Sequence, residues 1–332
     1  MKRWLVLLLV LAVVMGYLVI SPAKSPDPMA FLYIETLISR DYPVSEIKIE
    51  EMLPAGSNYQ RYIASYLSDG WKIYGLLTVP NSDRVEDKFP TIVMLHGYLD
   101  PTKYQTTERY VAYQDGLARN GWVTFKPDLR GHGKSAGMPV NSNFNQDYVV
   151  DTLNLISALK SYQKTNPKLI GLWGHSNGGG IALRTIEASK DIKATVIWAG
   201  VVGSYEDLLI NYRSKIPWIG NEKLIPNLVE TNTNSPYDLV KRFGEPRMES
   251  PFWSKMDPYS YIQKIESPVQ LHHGSTDDSV PIQLSQHLYQ ELKNAGKIVE
   301  FYEYDKGDHN ISSPDFKTAM LRTVEFFERY LR

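Results

Sequence analysis

A Gly-x-Ser-x-Gly pattern at residues 174–178 contains the residue best suited to chemistry, Ser176. An ordinary serine hydroxyl is a weak nucleophile, so a hydrolase must lift it out of the backbone and place it beside a base. A sharp strand-to-helix turn does this, and it needs glycine two residues before and after the serine, where a Cβ would collide with neighbouring chain. The pattern is common, however, and Ser176 could instead cap a helix after a glycine-rich loop. Whether Ser176 is a nucleophile therefore depends on whether the rest of the chain supplies a base and a carboxylate for it.

A serine nucleophile needs a histidine that takes its proton and a carboxylate that fixes the histidine tautomer. His309 is the candidate base, because the polar loop 306–310 lies between a predicted strand and the last predicted helix. A loop at this place can bring an imidazole over the sheet towards Ser176. The other six histidines lie in glycine-rich loops, at the serine turn, at the end of a strand or on an amphipathic helix: His96, His132, His175, His272, His273 and His287.

Two adjacent carboxylates, Asp277 and Asp278, follow another predicted strand. Only one of them can easily point inward. The other could be a turn or N-cap residue before a helix that starts near Pro281. The residues alone therefore leave the choice between the two carboxylates open.

Acyl transfer also needs backbone N–H donors where negative charge develops. Asn177, directly after the nucleophile, would supply one oxyanion-hole donor. The second would come from the loop 96–100, where Gly97 lets the backbone approach the substrate and Tyr98 donates its N–H. Taken alone, this loop could also be a plain turn at the end of a strand.

The elements that must position these residues alternate between strands and helices. Runs that are apolar on both faces are typical of parallel strands buried between helices, and they occur at 91–95, 122–125, 168–173, 194–199, 269–271 and 298–302. Helical spacing separates them at 149–159 and 284–292, and it returns at 320–331, with Ser313-Pro314 as N-cap and first-turn pair. A hairpin of 62–67 and 71–79 with an Asp-Gly turn opens the domain. The pattern predicts an α/β fold with a mostly parallel central sheet and helices on both faces.

One interval, from about 202 to 265, interrupts the alternation. It is rich in proline and in aromatic residues, namely Tyr205, Tyr212, Trp218, Phe252, Trp253, Tyr259 and Tyr261. Ligands of open parallel sheets bind beyond the carboxyl ends of the strands, so an insertion here predicts a lid over Ser176. Alternatively, the aromatic residues only stabilise a small core of the insertion itself.

The N-terminus predicts export. Lys2 and Arg3 precede an apolar run at 4–20, and the small residues of 21–23 follow it. Residues 1–24 are therefore a signal peptide or an N-terminal membrane anchor, and both choices place the rest outside the cytoplasm; a buried core helix is the remaining alternative. Residues 25–55 are interpreted as a tether, and residues 56–332 as one hydrolase domain.

Composition narrows the class of protein further. A chain of 332 residues can bury a large core, and it suits one domain with an insertion. Its 36 basic and 37 acidic side chains give a net charge of -1, which offers no field for nucleic acid. The absence of cysteine excludes disulfides, thiolate zinc sites and a cysteine nucleophile.

Together these motifs resemble the α/β-hydrolase superfamily from about residue 61 to residue 332. The most specific segments are 96–97, 128–135, 174–179, 273–281 and 307–309. The segment 273–281 resembles the acid-bearing motif of the prolyl oligopeptidase catalytic domain and of dienelactone-hydrolase-like esterases. That resemblance places the acid at Asp277, and it gives the superfamily's order of Ser176, Asp277 and His309 along the chain.

The resemblance implies an exported serine hydrolase that cleaves carboxylic esters through an acyl-enzyme on Ser176. The large peptidases of the prolyl oligopeptidase family carry a β-propeller, for which this chain has no room. A small extracytoplasmic peptidase of that type is the alternative, and a non-catalytic binding protein is the alternative from another class. No metal or organic cofactor is implied. The expected partner is a small ester or short peptide, with membrane contact only through an uncleaved N-terminal segment.

Overall fold

The computed structural model describes residues 27–84, 86–216 and 235–332. The predicted signal peptide or anchor, 1–24, lies outside the described residues. The chain divides into a first unit that ends at Phe31 and a second that runs from Leu32 to Arg332. In the first unit, the Asp27 carboxylate accepts the Met29 N–H at 2.9 Å. Within the described ranges, no helix has the length and apolar character needed to cross a membrane.

The second unit is built around a single sheet with the strand order β1-β2-β3-β5-β4-β6-β7-β8-β9. The strands are β1 Lys48–Leu53, β2 Tyr59–Ser68, β3 Trp71–Pro80, β4 Phe89–Leu95, β5 Val123–Pro127, β6 Thr165–His175, β7 Ile192–Trp198, β8 Val269–Gly274 and β9 Val299–Tyr304. The pairs β1-β2, β2-β3 and β3-β5 are antiparallel, and the other pairs are parallel. The predicted mostly parallel sheet is confirmed, as is the opening hairpin, whose turn residues Asp69 and Gly70 have positive φ values of 51° and 80°.

Helices cover the sheet: α1 Ile34–Ser39, α2 Val111–Ala118, α3 Asp147–Ser161, α4 Asn177–Ala188, α5 Pro236–Phe243, α6 Trp253–Met256, α7 Gln283–Asn294 and α8 Phe316–Leu331. Large side chains of strands and of α8 form one buried cluster, which includes Trp122, Trp173, Trp198, Phe326 and Phe327. The last helix starts later than its sequence predicts. Its N-cap is Asp315, so Ser313-Pro314 lies in the preceding loop.

The interval 25–55 differs from the predicted tether from Leu32 onward. Helix α1 buries Ile34 and Leu37 and packs against α4. Strand β1 pairs with β2 along the edge of the sheet. Its residues are almost all exposed, so it lacks the apolar alternation by which a strand is recognised.

The carboxyl ends of the parallel strands β4, β6, β8 and β9 lie along the same edge of the sheet, the one that runs across the strands. Strand pairing sets Leu95 beside Gly174, and Gly274 beside Tyr304. The loops that follow these strands therefore share that edge, and they carry every site residue predicted from the sequence.

Candidate active site

Ser176 lies in the turn between β6 and α4, an elbow formed by residues 174–178. Its φ of 55° and ψ of −122° are a conformation that a residue with a Cβ rarely adopts. Backbone hydrogen bonds hold it there, since the Ser176 N–H donates to the Trp198 carbonyl at 3.0 Å. A Cβ on Gly174 would lie 2.4 Å from the Gly178 carbonyl oxygen, and one on Gly178 would lie 2.0 Å from the Leu95 oxygen. The two glycines of the pattern are therefore required by close backbone contacts, as the sequence predicts.

Asp277 and His309 are brought together from the loops after β8 and β9. The Nδ1–H of His309 donates to Oδ2 of Asp277 at 2.7 Å. The other oxygen of Asp277 accepts the backbone N–H groups of Ser279 and Val280 at 2.8 and 2.9 Å. Asp278 is exposed to solvent. Of the two adjacent carboxylates, only Asp277 contacts the imidazole.

The ionised form of Asp277 is favoured. Burial of this fully enclosed carboxylate would raise its pKa, but hydrogen bonds from His273 and His309 outweigh that effect and hold the pKa well below its usual range. An ionised Asp277 keeps the proton of His309 on Nδ1. The Nε2 atom of His309 therefore carries the lone pair that a general base needs.

The predicted oxyanion-hole donors lie beside the nucleophile. Asn177 is the first residue of α4, so its N–H is one of those that a helix leaves without a partner of its own. Tyr98 follows Gly97, which approaches the elbow so closely that a Cβ on it would lie 2.9 Å from the Ser176 Cβ. Tyr98, Asn177, Ser176 and His309 all line the same cavity.

That cavity has a volume of about 570 Å³. Its walls come from the segments 97–113 and 129–148, closed by residues of α4 and of the loops near 279 and 309–312. Four tyrosines are among the lining residues: Tyr98, Tyr110, Tyr113 and Tyr148. Among the described residues, no group of histidine, aspartate or glutamate side chains could hold a metal ion.

None of the described residues of the insertion lines the cavity, and the lid over Ser176 stays a prediction. Their aromatic side chains pack with one another instead. Phe243 stacks on Phe252 with 3.7 Å between ring centroids, and Tyr205 contacts Trp253 at 5.3 Å. Tyr205 also contacts Phe144 at 5.4 Å and donates its hydroxyl to the Asn143 carbonyl, both outside the insertion, so a core confined to the insertion stays a prediction too. Residues 217–234, which include Trp218, lie outside the described residues.

Comparison with known proteins supports the superfamily suggested by the motifs. A family model described as serine aminopeptidase, S33 matches residues 87–241. The uncharacterized peptidase YtmA of Bacillus subtilis (strain 168) is 26% identical over 260 residues, which cover 77% of this chain and 89% of the relative. The esterase Pf2001 of Pyrococcus furiosus has a TM-score of 0.59 and 21% identity, over 82% of this chain and 94% of that chain. The acylaminoacyl peptidase of Pyrococcus horikoshii also reaches 0.59, at 20% identity, over 83% of this chain but only 42% of its own.

The chain belongs to the α/β-hydrolase superfamily. Its fold and its class, a serine hydrolase, agree with the prediction from the sequence. The matched family segment contains the elbow but ends before Asp277 and His309. The assignment of those two residues therefore rests on the geometry described above.

Sequence reasoning missed a contact of the Asp277 carboxylate. His273, treated as a residue that merely closes a strand, directs its Nε2–H at Oδ2 of Asp277 (3.1 Å) and at the Val280 carbonyl (2.9 Å). Its Nδ1 accepts the hydroxyl of Ser285 at 2.7 Å. His273 and His309 thus donate to the same oxygen of Asp277, and the contact with His273 fixes the orientation of the Asp277 carboxylate. The only sequence signal is its place four residues before Asp277, which does not by itself predict a contact.

Proposed function

We propose that this hydrolase cleaves carboxylic esters through an acyl-enzyme on Ser176. The observation that carries the proposal is the pairing of Asp277 with His309 in the cavity that Ser176 also lines. In the first half-reaction, Nε2 of His309 takes the hydroxyl proton while Oγ of Ser176 bonds to the carbonyl carbon. The negative oxygen that forms is stabilised by the N–H groups of Tyr98 and Asn177.

The leaving alkoxide then takes the proton from His309 as the carbon–oxygen bond breaks, and the acyl group stays on Ser176. Water then gives a proton to His309 as its oxygen bonds to the acyl carbon. The bond from that carbon to Oγ of Ser176 breaks, His309 returns the proton to Oγ, and the carboxylic acid leaves. Asp277 stabilises the imidazolium in both halves. All of these steps use side chains and backbone groups of the chain itself.

The charges of the cavity favour esters over peptides with a free amino terminus. Arg109 is the only lysine, arginine, aspartate or glutamate among the described residues that line the cavity. A peptide ammonium group would find no carboxylate partner among these described lining residues, and unpaired charges are costly to desolvate. A neutral ester brings no charge that must be desolvated, and the charge of an anionic ester can pair with Arg109.

A screen of the purified full-length protein tests the proposal. We expect p-nitrophenyl butyrate to be hydrolysed with a higher kcat/KM than an aminoacyl p-nitroanilide, with Ser176→Ala as the blank. Faster cleavage of the anilide would establish the peptidase alternative. If a fluorophosphonate fails to label Ser176, the chain is a binding protein with a hydrolase fold.

Arg109 gives a prediction about charge selectivity. It is exposed at the cavity, and no carboxylate of the described chain pairs with it. We expect Arg109→Gln to raise KM for a p-nitrophenyl monosuccinate ester up to about fivefold, which corresponds to about 1 kcal/mol for an exposed ion pair. The KM for the neutral butyrate ester should not change.

Lys103→Gln is the matched control, because Lys103 pairs with Asp100 at 3.7 Å and does not line the cavity. It removes the same charge from the same loop. An equal rise in KM for the monosuccinate in both variants, or a rise for the butyrate in Arg109→Gln, would contradict a specific role for Arg109.

We also propose that the hydrolase works outside the cytoplasm. Support comes from Lys2 and Arg3, the apolar run 4–20 and the small residues that follow it. The butyrate assay applied to culture medium, membranes and cytosol of producing cells tests this. Activity in the cytosol alone would refute export, and mass spectrometry of the N-terminus separates a cleaved signal from an anchor.

A further inference from the structure

A continuous chain of hydrogen bonds joins the oxyanion loop to the loop of the base. The Gly97 N–H lies 2.8 Å from the Tyr110 hydroxyl oxygen, which lies 2.8 Å from Nδ1 of His175. Nε2 of His175 lies 3.0 Å from the carbonyl oxygen of His309. Residues from four separate parts of the chain, all next to Ser176 or part of its cavity, are thereby connected.

Every proton in this chain has a determined direction. A carbonyl only accepts, so His175 carries its proton on Nε2 and donates it to His309. Its Nδ1 must then accept, and the Tyr110 hydroxyl donates its single proton there. The Tyr110 oxygen remains free to accept the Gly97 N–H. Each of the three donors in this series, the Gly97 N–H, the Tyr110 hydroxyl and the His175 Nε2–H, therefore has an acceptor.

This series of hydrogen bonds also requires the His175 imidazole to be neutral. Burial, reinforced by the neighbouring His309, lowers the pKa of His175 to about 3. The ring centroids of His175 and His309 are 4.8 Å apart. A charged His175 at that distance would oppose the imidazolium that His309 becomes during catalysis, whereas the neutral ring does not.

We propose that Tyr110 and His175 are positioning residues that hold the Tyr98 N–H and the His309 imidazole in register with Ser176. Tyr110 positions the Tyr98 N–H, because its hydroxyl oxygen accepts the N–H of the preceding residue, Gly97. His175 positions the His309 imidazole, because it donates a hydrogen bond to the backbone carbonyl of His309. Tyr110 itself adopts a left-handed conformation, with φ of 62° and ψ of 16°, which a non-glycine residue keeps only when its surroundings impose it.

Tyr110→Phe tests the proposal, because it keeps the ring and removes only the hydroxyl. Complete loss of an oxyanion donor costs about 10²-fold to 10³-fold in kcat, so a displaced donor should cost about tenfold or more. We expect kcat for p-nitrophenyl butyrate and the rate of fluorophosphonate labelling of Ser176 to fall together by that factor. KM should stay within about twofold, because ground-state binding is unchanged.

Tyr148→Phe is the matched control. The Tyr148 hydroxyl also accepts a backbone N–H in the cavity wall, that of Val140 at 3.0 Å, but it contacts neither Gly97 nor His175. Both variants lose one tyrosine hydroxyl that accepts a loop N–H, so a purely structural role predicts similar losses. The proposal is overturned if the two variants lose kcat equally, or if Tyr110→Phe keeps kcat and labelling within about twofold of the wild type.

A double-mutant cycle with His175→Phe then tests whether the two residues act as one chain. If they do, the losses in labelling rate are not additive: without His175 nothing directs the Tyr110 hydroxyl, so Tyr110→Phe costs less in the His175→Phe background than in the wild type. Strictly additive losses would refute the connection. Since labelling requires only a reactive Ser176, this readout stays valid even if the enzyme proves to prefer amides to esters.

Discussion

Asp277→Asn is expected to lower kcat by roughly 10⁴-fold, the loss that follows when the histidine of a serine triad is held in the wrong tautomer. The asparagine oxygen can keep the Ser279 and Val280 N–H groups, which leaves its amide NH₂ facing Nδ1 of His309. Two donors cannot bond, so His309 carries its proton on Nε2 and cannot accept one from Ser176. Steady-state kinetics with p-nitrophenyl butyrate measure the effect, and KM should change little.

Asp278→Asn is the control for this substitution. Asp278 is exposed and accepts a hydrogen bond from the Ser279 hydroxyl at 3.1 Å, with no contact to His309. Its kcat should stay within about twofold of the wild type, as for most exposed surface changes. Equal losses in the two variants, or a larger loss in Asp278→Asn, would mean that Asp277 is not the residue that orients the base.

The parts of the site that the sequence predicts are those set by local chemistry. An elbow needs its glycines within two residues of Ser176, and the ends of parallel strands bring successive loops to one edge of the sheet. These two rules suffice to select Ser176, Asn177 and His309. The choice of Asp277 over Asp278 needed a family resemblance, because both follow the same strand and no local rule separates them.

Contacts between distant side chains could not be predicted in this way. His175 receives the hydroxyl of Tyr110, which lies 65 residues earlier in the chain. Neither residue has a composition or a spacing that marks it as more than core. Such contacts depend on how α2 is placed over the end of β6, which a single sequence does not reveal.

Composition was also an incomplete guide to the segments around the domain. The aromatic residues of the insertion indicate burial, but they do not say which surface they bury against. Tyr205 contacts Trp253 of the insertion, but it also contacts Phe144 and the backbone of Asn143 outside it. Strand β1 is an exposed edge, held by backbone pairing with β2, so its sequence shows no apolar pattern.

Gly178→Ala is expected to destabilise the protein by about 3 kcal/mol or more and to abolish activity. Overpacking in a dense interior costs about 1–3 kcal/mol when side chains can move aside. Here the new methyl would lie 2.0 Å from the Leu95 carbonyl oxygen and 2.5 Å from its carbon, and that backbone belongs to the central strand β4. The gain of about 1 kcal/mol from replacing a helical glycine is too small to compensate. Urea unfolding measures the change.

Gly116→Ala makes the same chemical change on helix α2, where the methyl would meet the flexible end of Met320, with 3.0 Å to its sulfur. Because that side chain can rotate away, we expect stability within about 1 kcal/mol of the wild type. Equal stability in both variants would show that the elbow tolerates a side chain. A large loss confined to Gly178→Ala would mean that the close approach of helix α4 to the backbone of β4 requires glycine at position 178.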